Sequence, residues 1–222
     1  MGELINLLKS LPETKRDVER RKEAKDPEVV RIAKEYGGPY FDGDRAYGYG
    51  GYHYDGRWEP VALDILRHFG FLRGDYGGPI RVLDVGCAKG FLIKEFDEIP
   101  FVNPFGLDIS RYALMNCHPD VVGRLHLGSA HQLNFPDNSF DLVLSINTIH
   151  NLPRQLAKRA LQEIMRVSKG PAFVQVDSYN TPEEQELFED WVLTAEFHGY
   201  PEDWLQLFSE AGYDGDYWWT VL

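Results

Sequence analysis

The chain has 222 residues, 43% of them hydrophobic and 26% charged, with a formal net charge of −12. That size and balance fit one α/β domain with an appended segment and exclude a disordered or fibrous chain. No apolar run approaches the ~20 residues that span a bilayer, and the acidic excess opposes binding to a phosphate backbone, which rests on several Lys or Arg contacts.

The first ten residues, MGELINLLKS, carry an apolar stripe but neither the basic start nor the small-residue cleavage site of a secretory signal. A cytoplasmic protein is therefore expected, with Cys87 and Cys117 as free thiols. Residues 1 to about 36 read as helical and charged, with Asp26-Pro27 opening a second helix through Tyr36 and Gly37-Gly38-Pro39 ending it. Lys15, Arg16, Arg20, Arg21, Lys22 and Lys25 are interleaved there with Glu13, Asp17, Glu19 and Glu23, the pattern of a solvated helix laced with ion pairs. The segment AYGYGGYHYDGRW, Ala46 to Trp58, then combines four tyrosines with four glycines. In PVALDILRHFG, Val61, Ile65, Leu66 and Phe69 share one helical face before Gly70.

From Ile80 strands and helices alternate. IRVLDV, FGLDI, RLHLGS, FDLVLSI and PAFVQVDS read as strands, and FDLVLSI is nearly continuously apolar, as a strand buried on both faces should be. FLIKEF, RYALMNC behind Ser110, the stretch after Pro153, and PEDWLQLFSEA before Gly212 read as helices. After Pro153 the inner face is predicted at Leu156, Ala160, Ile164 and Val167. Thr181-Pro182-Glu183-Glu184 is a capping box, and DYWWTVL reads as a terminal strand. The pattern predicts a three-layer, Rossmann-like α/β sandwich with a mostly parallel sheet and right-handed crossovers. Residues 1–60 form a helical extension and aromatic lid, residues 61–222 the core, in one compact domain overall. Ligands of such sheets sit at the carboxyl ends of the strands, where the strand order reverses.

VLDVGCAKG, Val82 to Gly90, is the most informative loop. It lacks the G-x-G-x-x-G of dinucleotide-binding proteins and instead places an acid two positions before its first glycine: Asp84, Gly86, Ala88, Gly90. This arrangement resembles the first motif of the class I S-adenosylmethionine-dependent methyltransferases, of the small-molecule, type 11-like kind, with Ala88 in place of a glycine. The resemblance continues through FGLDIS and LGSAHQLNFPDNSFDLVLSINTIHNL and covers residues 80 to about 177. It implies S-adenosylmethionine as cofactor, bound by Asp84, Gly86, Cys87, Ala88 and Gly90, by Asp108 with Ile109 at the ribose, and by Ser129 and Ala130 at the adenine. The family more often has Asp at the Ser129 position, and it commonly ends in an antiparallel strand pair for which this chain has room for only one strand.

Methyl transfer from a sulfonium is an in-line displacement in which positioning and exclusion of water do most of the work. The Gly/Tyr segment suits a lid: its glycines permit tight folding, and the faces of Tyr47, Tyr49, Tyr52 and Trp58 favour a cation. Within it Tyr47 and Arg57 are expected on the cofactor, Arg57 pairing with the methionine carboxylate, and Tyr52, His53 and Trp58 on the substrate. The alternative is that these aromatics pack the extension onto the sheet. His150, just past the fourth strand, is the candidate general base, with Asn147 orienting the acceptor. Asp177, Tyr179, Trp191 and His198 fall in the region that resembles the family's substrate-facing cap. His118, His126 and His131 have no ligand-like spacing, so no metal is expected.

The expected activity is methyl transfer to an oxygen or nitrogen of a small molecule such as a sugar, a nucleotide-linked precursor or a specialised metabolite. The expected partner is that acceptor alone, with no nucleic acid and no membrane, and the chain acting as monomer or homodimer. A non-catalytic S-adenosylmethionine-binding sensor or inactive partner subunit is the alternative reading. A nicotinamide-dependent oxidoreductase fits less well, because its glycine loop and a Tyr-x-x-x-Lys pattern are missing.

Overall fold

The computed structural model describes residues 2–12, 16–73 and 77–221. Glu13 and Lys15 lie outside the described residues. Strands form at the apolar runs: β1 (Ile80–Val85), β2 (Val102–Asp108), β3 (Leu125–Leu127), β4 (Leu142–Ile146), β5 (Ala172–Asp177) and β6 (Asp216–Thr220). Their order is β3-β2-β1-β4-β5-β6, and every pair is parallel. The helices are α1 (Val18–Ala24), α2 (Pro27–Ala33), α3 (Gly38–Asp42), α4 (Glu59–His68), α5 (Phe91–Asp97), α6 (Arg111–Met115), α7 (Arg154–Val167), α8 (Pro182–Trp191) and α9 (Pro201–Ala211).

The core lies in two layers on either side of the sheet. On one face α7 and α9 bury Ala157, Ala160, Leu161, Trp204 and Phe208 against Leu83, Val143, Val174 and Val176. On the other, α4 and α5 bury Val61, Ile65, Leu66 and Phe96 against Val82, Leu142, Leu144 and Phe173. Leu142, Val143 and Leu144 are all fully buried, which explains why β4 reads as an unbroken apolar run. At roughly 25 cal/mol per Å² of apolar area, such burial supplies the main term that opposes chain entropy.

Several boundaries differ from the sequence reading. Residues 2–10 are not helical: Ile5 N–H donates to Tyr217 O at 2.9 Å and Tyr217 N–H to Glu3 O at 3.0 Å, so the N-terminal segment runs along the outer edge of β6. The sheet is wholly parallel among the described residues, and backbone amides of residues 3–5 occupy the edge that a further strand would take. Gly38-Pro39 opens α3, with proline in its first turn, instead of only ending the helix before it. On α7 the inner face is carried by Ala157 and Leu161, whereas Leu156 is 37% exposed, because helix rotation puts it one position off the buried stripe.

Candidate active site

Strand order reverses between β1 and β4, and the loops that leave their carboxyl ends meet there. Gly86 has φ +91°, and a Cβ on it would stand 2.0 Å from Thr148 Oγ1. Only glycine lets the two loops approach this closely. Ala88, in the place of a glycine, takes φ +49° and is fixed by its N–H, which donates to Asp108 Oδ2 at 2.7 Å. The second Asp108 oxygen accepts from Ser110 N–H at 2.8 Å. Asp108 is thus a clamp at the end of β2, 9% exposed, and lines a cleft at the carboxyl edge of the sheet. Burial raises its pKa and the amide donors from Ser110 and Ala88 oppose that.

Asp84 is buried at the carboxyl end of β1, and burial, reinforced by Asp108, raises its pKa to about 7. No cation among the described residues offsets this. A buried carboxylate in that state fits a ligand that brings its own positive charge.

The walls of the cleft come from far along the chain. Ile109, Ser129 and Ala130 line one side, Asn147, Thr148, Asn151 and Leu152 another, and Tyr36, Tyr40, Phe41 and Tyr49 close over it. The aromatic segment is both packed and cavity-facing: Tyr49 stacks on Phe41 at 5.7 Å, and Tyr52 on Phe91 of α5 at 4.7 Å. Gly48 is required there because a Cβ would stand 2.2 Å from Tyr40 O. Polar anchors hold the segment to the core: buried Lys89 donates to both oxygens of Asp42 at 2.7 Å and to Tyr52 O at 3.0 Å, and Ser110 Oγ donates to Tyr36 O at 2.6 Å. Burial opposes ionisation of Asp42, yet hydrogen bonds from Lys89 and Tyr112 hold its pKa below the usual range.

Beside the cleft a larger open hollow is lined by Tyr52, His53, Trp58, Asp84, His150, Asp177 and Trp191, and the two share Tyr40, Tyr49, Gly86, Ala88 and Asn147. Asn147 has φ +50°, and its Oδ1 accepts from Thr220 Oγ1 at 3.1 Å. His150 is 5% exposed; its Nδ1 accepts the Asp177 N–H at 3.1 Å and its Nε2 lies 3.5 Å from Asp177 Oδ2. Burial lowers the His150 pKa, and Asp177 only partly restores it. With Nδ1 accepting the Asp177 N–H, a neutral ring carries its proton on Nε2, 3.5 Å from the carboxylate of Asp177, which is the more open of the two and also lines the hollow.

Residues 83–174 match the family model described as "Methyltransferase domain". Over 120 residues, half of this chain, it is 32% identical to the sterol 24-C-methyltransferase erg6 of Aspergillus fumigatus, and covers 31% of that protein. Over 78 residues, 33% of this chain, it is 35% identical to the mitochondrial arginine-hydroxylase NDUFAF5 of Rattus norvegicus, and covers 23% of it. The chain thus spans a third or less of the length of these relatives. In fold it is similar to a SAM dependent methyltransferase from Archaeoglobus fulgidus, with TM-score 0.53 over 70% of this chain and 68% of the other, at 19% identity. Residues 83–174 of this chain thus match a methyltransferase domain, and its sheet is similar in fold to that of a SAM dependent methyltransferase. The residues present fit S-adenosylmethionine as a cofactor: Asp108 lines the cleft together with Ser129 and Ala130, and among the described residues no cation is paired with buried Asp84.

Against this cofactor the expected residues separate into two groups. Gly86, Ala88, Asp108, Ile109, Ser129 and Ala130 line the cleft, while Asp84, Cys87 and Arg57 border the adjoining hollow. Arg57 is engaged with Asp55, its Nη2 2.5 Å from Oδ2. Ser129 Oγ is bonded to His131 Nδ1 at 2.7 Å. Gly90 does not reach the cleft: its α-carbon is turned toward Leu125 and Val121, where a Cβ would stand 2.9 Å from Leu125. Tyr47 lines neither the cleft nor the hollow, because the turn closed by Tyr47 N–H on Asp44 O directs it elsewhere. Tyr179 and His198 likewise lie outside both; they bond each other at 3.2 Å beneath α8. Tyr36, Tyr40, Phe41, Thr148 and Asn151 were not picked out from sequence. A tyrosine pair flanking Gly37-Gly38-Pro39 was the available signal for the first of these. No group of three or more His, Cys, Asp or Glu that could hold a metal occurs among the described residues. Nor does any helix there have the length and apolarity to cross a membrane.

Proposed function

We propose that this protein transfers a methyl group from S-adenosylmethionine to an oxygen or nitrogen of a small molecule. The supporting observation is the continuity of two spaces through Asn147, Tyr40 and Tyr49, one suited to the nucleoside and the other open to an acceptor. When bound, the cofactor supplies an electrophilic methyl on a sulfonium. Asp108 would accept hydrogen bonds from the ribose hydroxyls, and Asp84 would hold the positively charged methionine end. Tyr40 and Tyr49 shield the junction from water, which strengthens the electrostatics inside. Asp177, oriented through its own N–H by His150, takes the acceptor proton at its carboxylate. Likeness to a sterol methyltransferase over half of the chain supports a small-molecule acceptor.

Calorimetric titration with S-adenosylhomocysteine, and separately with NADH, tests this reading. Binding of the first alone, weakened in Asp108→Ala, is expected. Binding of NADH, or of neither, overturns it. S-adenosylhomocysteine binding with no methylated product from any small-molecule library would instead favour a non-catalytic sensor or partner subunit.

A further inference from the structure

The basic N-terminal stretch divides into two faces. Lys22 behaves as a solvated helix predicts and pairs with Asp190 at 2.7 Å. Arg21 does the reverse: it is 6% exposed, and its Nη2 donates to Gly48 O at 3.0 Å. Arg45 donates to the same carbonyl at 3.0 Å and to Tyr49 O at 2.7 Å. The guanidinium carbons of Arg21, Arg45 and Arg16 stand 4.6, 5.2 and 5.8 Å from the centre of the Trp191 ring. Three cations therefore share one indole.

Among the described residues no carboxylate lies within 4.0 Å of any of the three guanidiniums, in a chain with a net charge of −12. Burial and Arg45 push Arg21 down to about 10, and burial together with Arg16 lowers Arg45; Asp44 is a weaker, more distant influence. Stacking on an aromatic face and sharing a carbonyl offset only part of this repulsion. An oxyanion taken by the free guanidinium edges would complete the balance. Arg16, Arg21, Arg45 and Trp191 all line the hollow that also holds Asp177, so the cluster shares one space with the proposed proton acceptor. A polyanion is opposed by the charge of the rest of the surface, which leaves a small molecule with a single anionic group.

We propose that Arg16, Arg21 and Arg45 form an oxyanion subsite that holds the carboxylate or phosphate of a small methyl acceptor. The acceptor role rests on the methyltransferase reading of the adjoining cleft; the anion site itself does not. Guanidinium forks suit both oxyanions, so the test carries both.

Inorganic phosphate and acetate are titrated by calorimetry into the full chain, with and without saturating S-adenosylhomocysteine. Wild type is compared with Arg45→Gln, with Arg16→Gln, and with Arg31→Gln as a control at an exposed arginine paired with Glu28. Arg16→Gln guards against a folding defect, because Arg45 also shapes the loop through Gly48 and Tyr49 while Arg16 contacts Trp191. At least one of the two anions is expected to bind, about tenfold more weakly in Arg45→Gln and Arg16→Gln and unchanged in Arg31→Gln, as the loss of one charge-assisted contact implies. Binding of phosphate marks a phosphate ester as acceptor and binding of acetate marks a carboxylate; either supports the subsite. No binding of either anion, or equal affinity in all four proteins, overturns it. A loss of S-adenosylhomocysteine affinity in Arg45→Gln and Arg16→Gln with anion binding unmoved also overturns it, because the cluster would then serve the cofactor. Failure of wild type to bind S-adenosylhomocysteine overturns the methyltransferase reading, and the titrations run without it separate that result from the anion site.

Discussion

Asp177 and His150 are joined at two points: the Asp177 N–H donates to His150 Nδ1 at 3.1 Å, and the Asp177 carboxylate lies 3.5 Å from Nε2. The first contact uses the lone pair that a general base needs, and the second faces the ring's proton toward the carboxylate. Nitrogen NMR of the imidazole should therefore show a neutral Nε2–H tautomer at pH 7, with protonation only below the ordinary histidine range of ~6.5, since burial lowers its pKa. In turnover, Asp177→Asn should lose about 10²–10⁴-fold in kcat with an acceptor that must release a proton. A neutral Nδ1–H imidazole at pH 7, with Nε2 free, would return the base role to His150.

Asp84 gives a pH dependence with a definite sign. Its folded pKa of about 7 is above the unfolded value of 3.8, so the folded state holds a proton that the unfolded state has lost between those limits. Its stabilisation is fully present below pH ~4 and is lost as pH rises through ~7, at about 1.4 kcal/mol per pH unit where the difference in bound protons is one. His150 contributes the opposite slope below its unfolded pKa of ~6.5. The measurement is therefore the difference between wild type and Asp84→Asn in urea unfolding at pH 4 to 8. Parallel curves would show that Asp84 does not titrate in this window.

At the crossing of the two loops, Gly86→Ala should destabilise by about 1–3 kcal/mol, because its Cβ meets Thr148 Oγ1 at 2.0 Å and its φ is +91°. Thr148→Gly in the same chain should recover part of the loss, since the steric share disappears while the backbone share remains. Thermal unfolding of the two single variants and the double variant separates the shares.

The aromatic cover depends on its anchor. Lys89→Met removes both bonds to Asp42 and the one to Tyr52 O, so hydrogen exchange at the Tyr49 and Gly51 amides, which bond Tyr40 O and Phe41 O, should quicken more than exchange in β4. S-adenosylhomocysteine affinity should fall with it. Faster exchange with unchanged affinity would mean that these aromatics only pack the extension onto the core.

Asp108→Ala is expected to weaken S-adenosylhomocysteine at least tenfold, as loss of charged hydrogen bonds to the ribose implies. It also frees the Ala88 and Ser110 amides, so the variant should be less stable as well. Asp108→Asn retains an acceptor oxygen for one of those amides. Comparing the two separates loop support from ligand binding.

What the sequence determined by itself lies in local windows. The apolar runs of β1 and β4, the capping of α6 by Ser110, and the loop from Asp84 to Gly90 follow from periodicity, backbone conformation and side-chain chemistry within a few positions. The placement of Asp84 and Asp108 at adjacent strand ends was legible for the same reason: both close a strand before a turn, and parallel pairing carries them to one edge. A glycine's need for φ +75° at Gly90 looks alike in sequence whether a ligand or Leu125 is the neighbour, and the structure sets Leu125 against its α-carbon. Only the tertiary structure decided which distant groups converge. Tyr36 and Tyr40 reach the cleft because Ser110 and Lys89 hold their segment down, and Arg21 meets Arg45 and Trp191 because α1 packs on α8. Such meetings join positions tens of residues or more apart. They are set by how crossovers and layers pack, and that leaves no periodic trace in the chain.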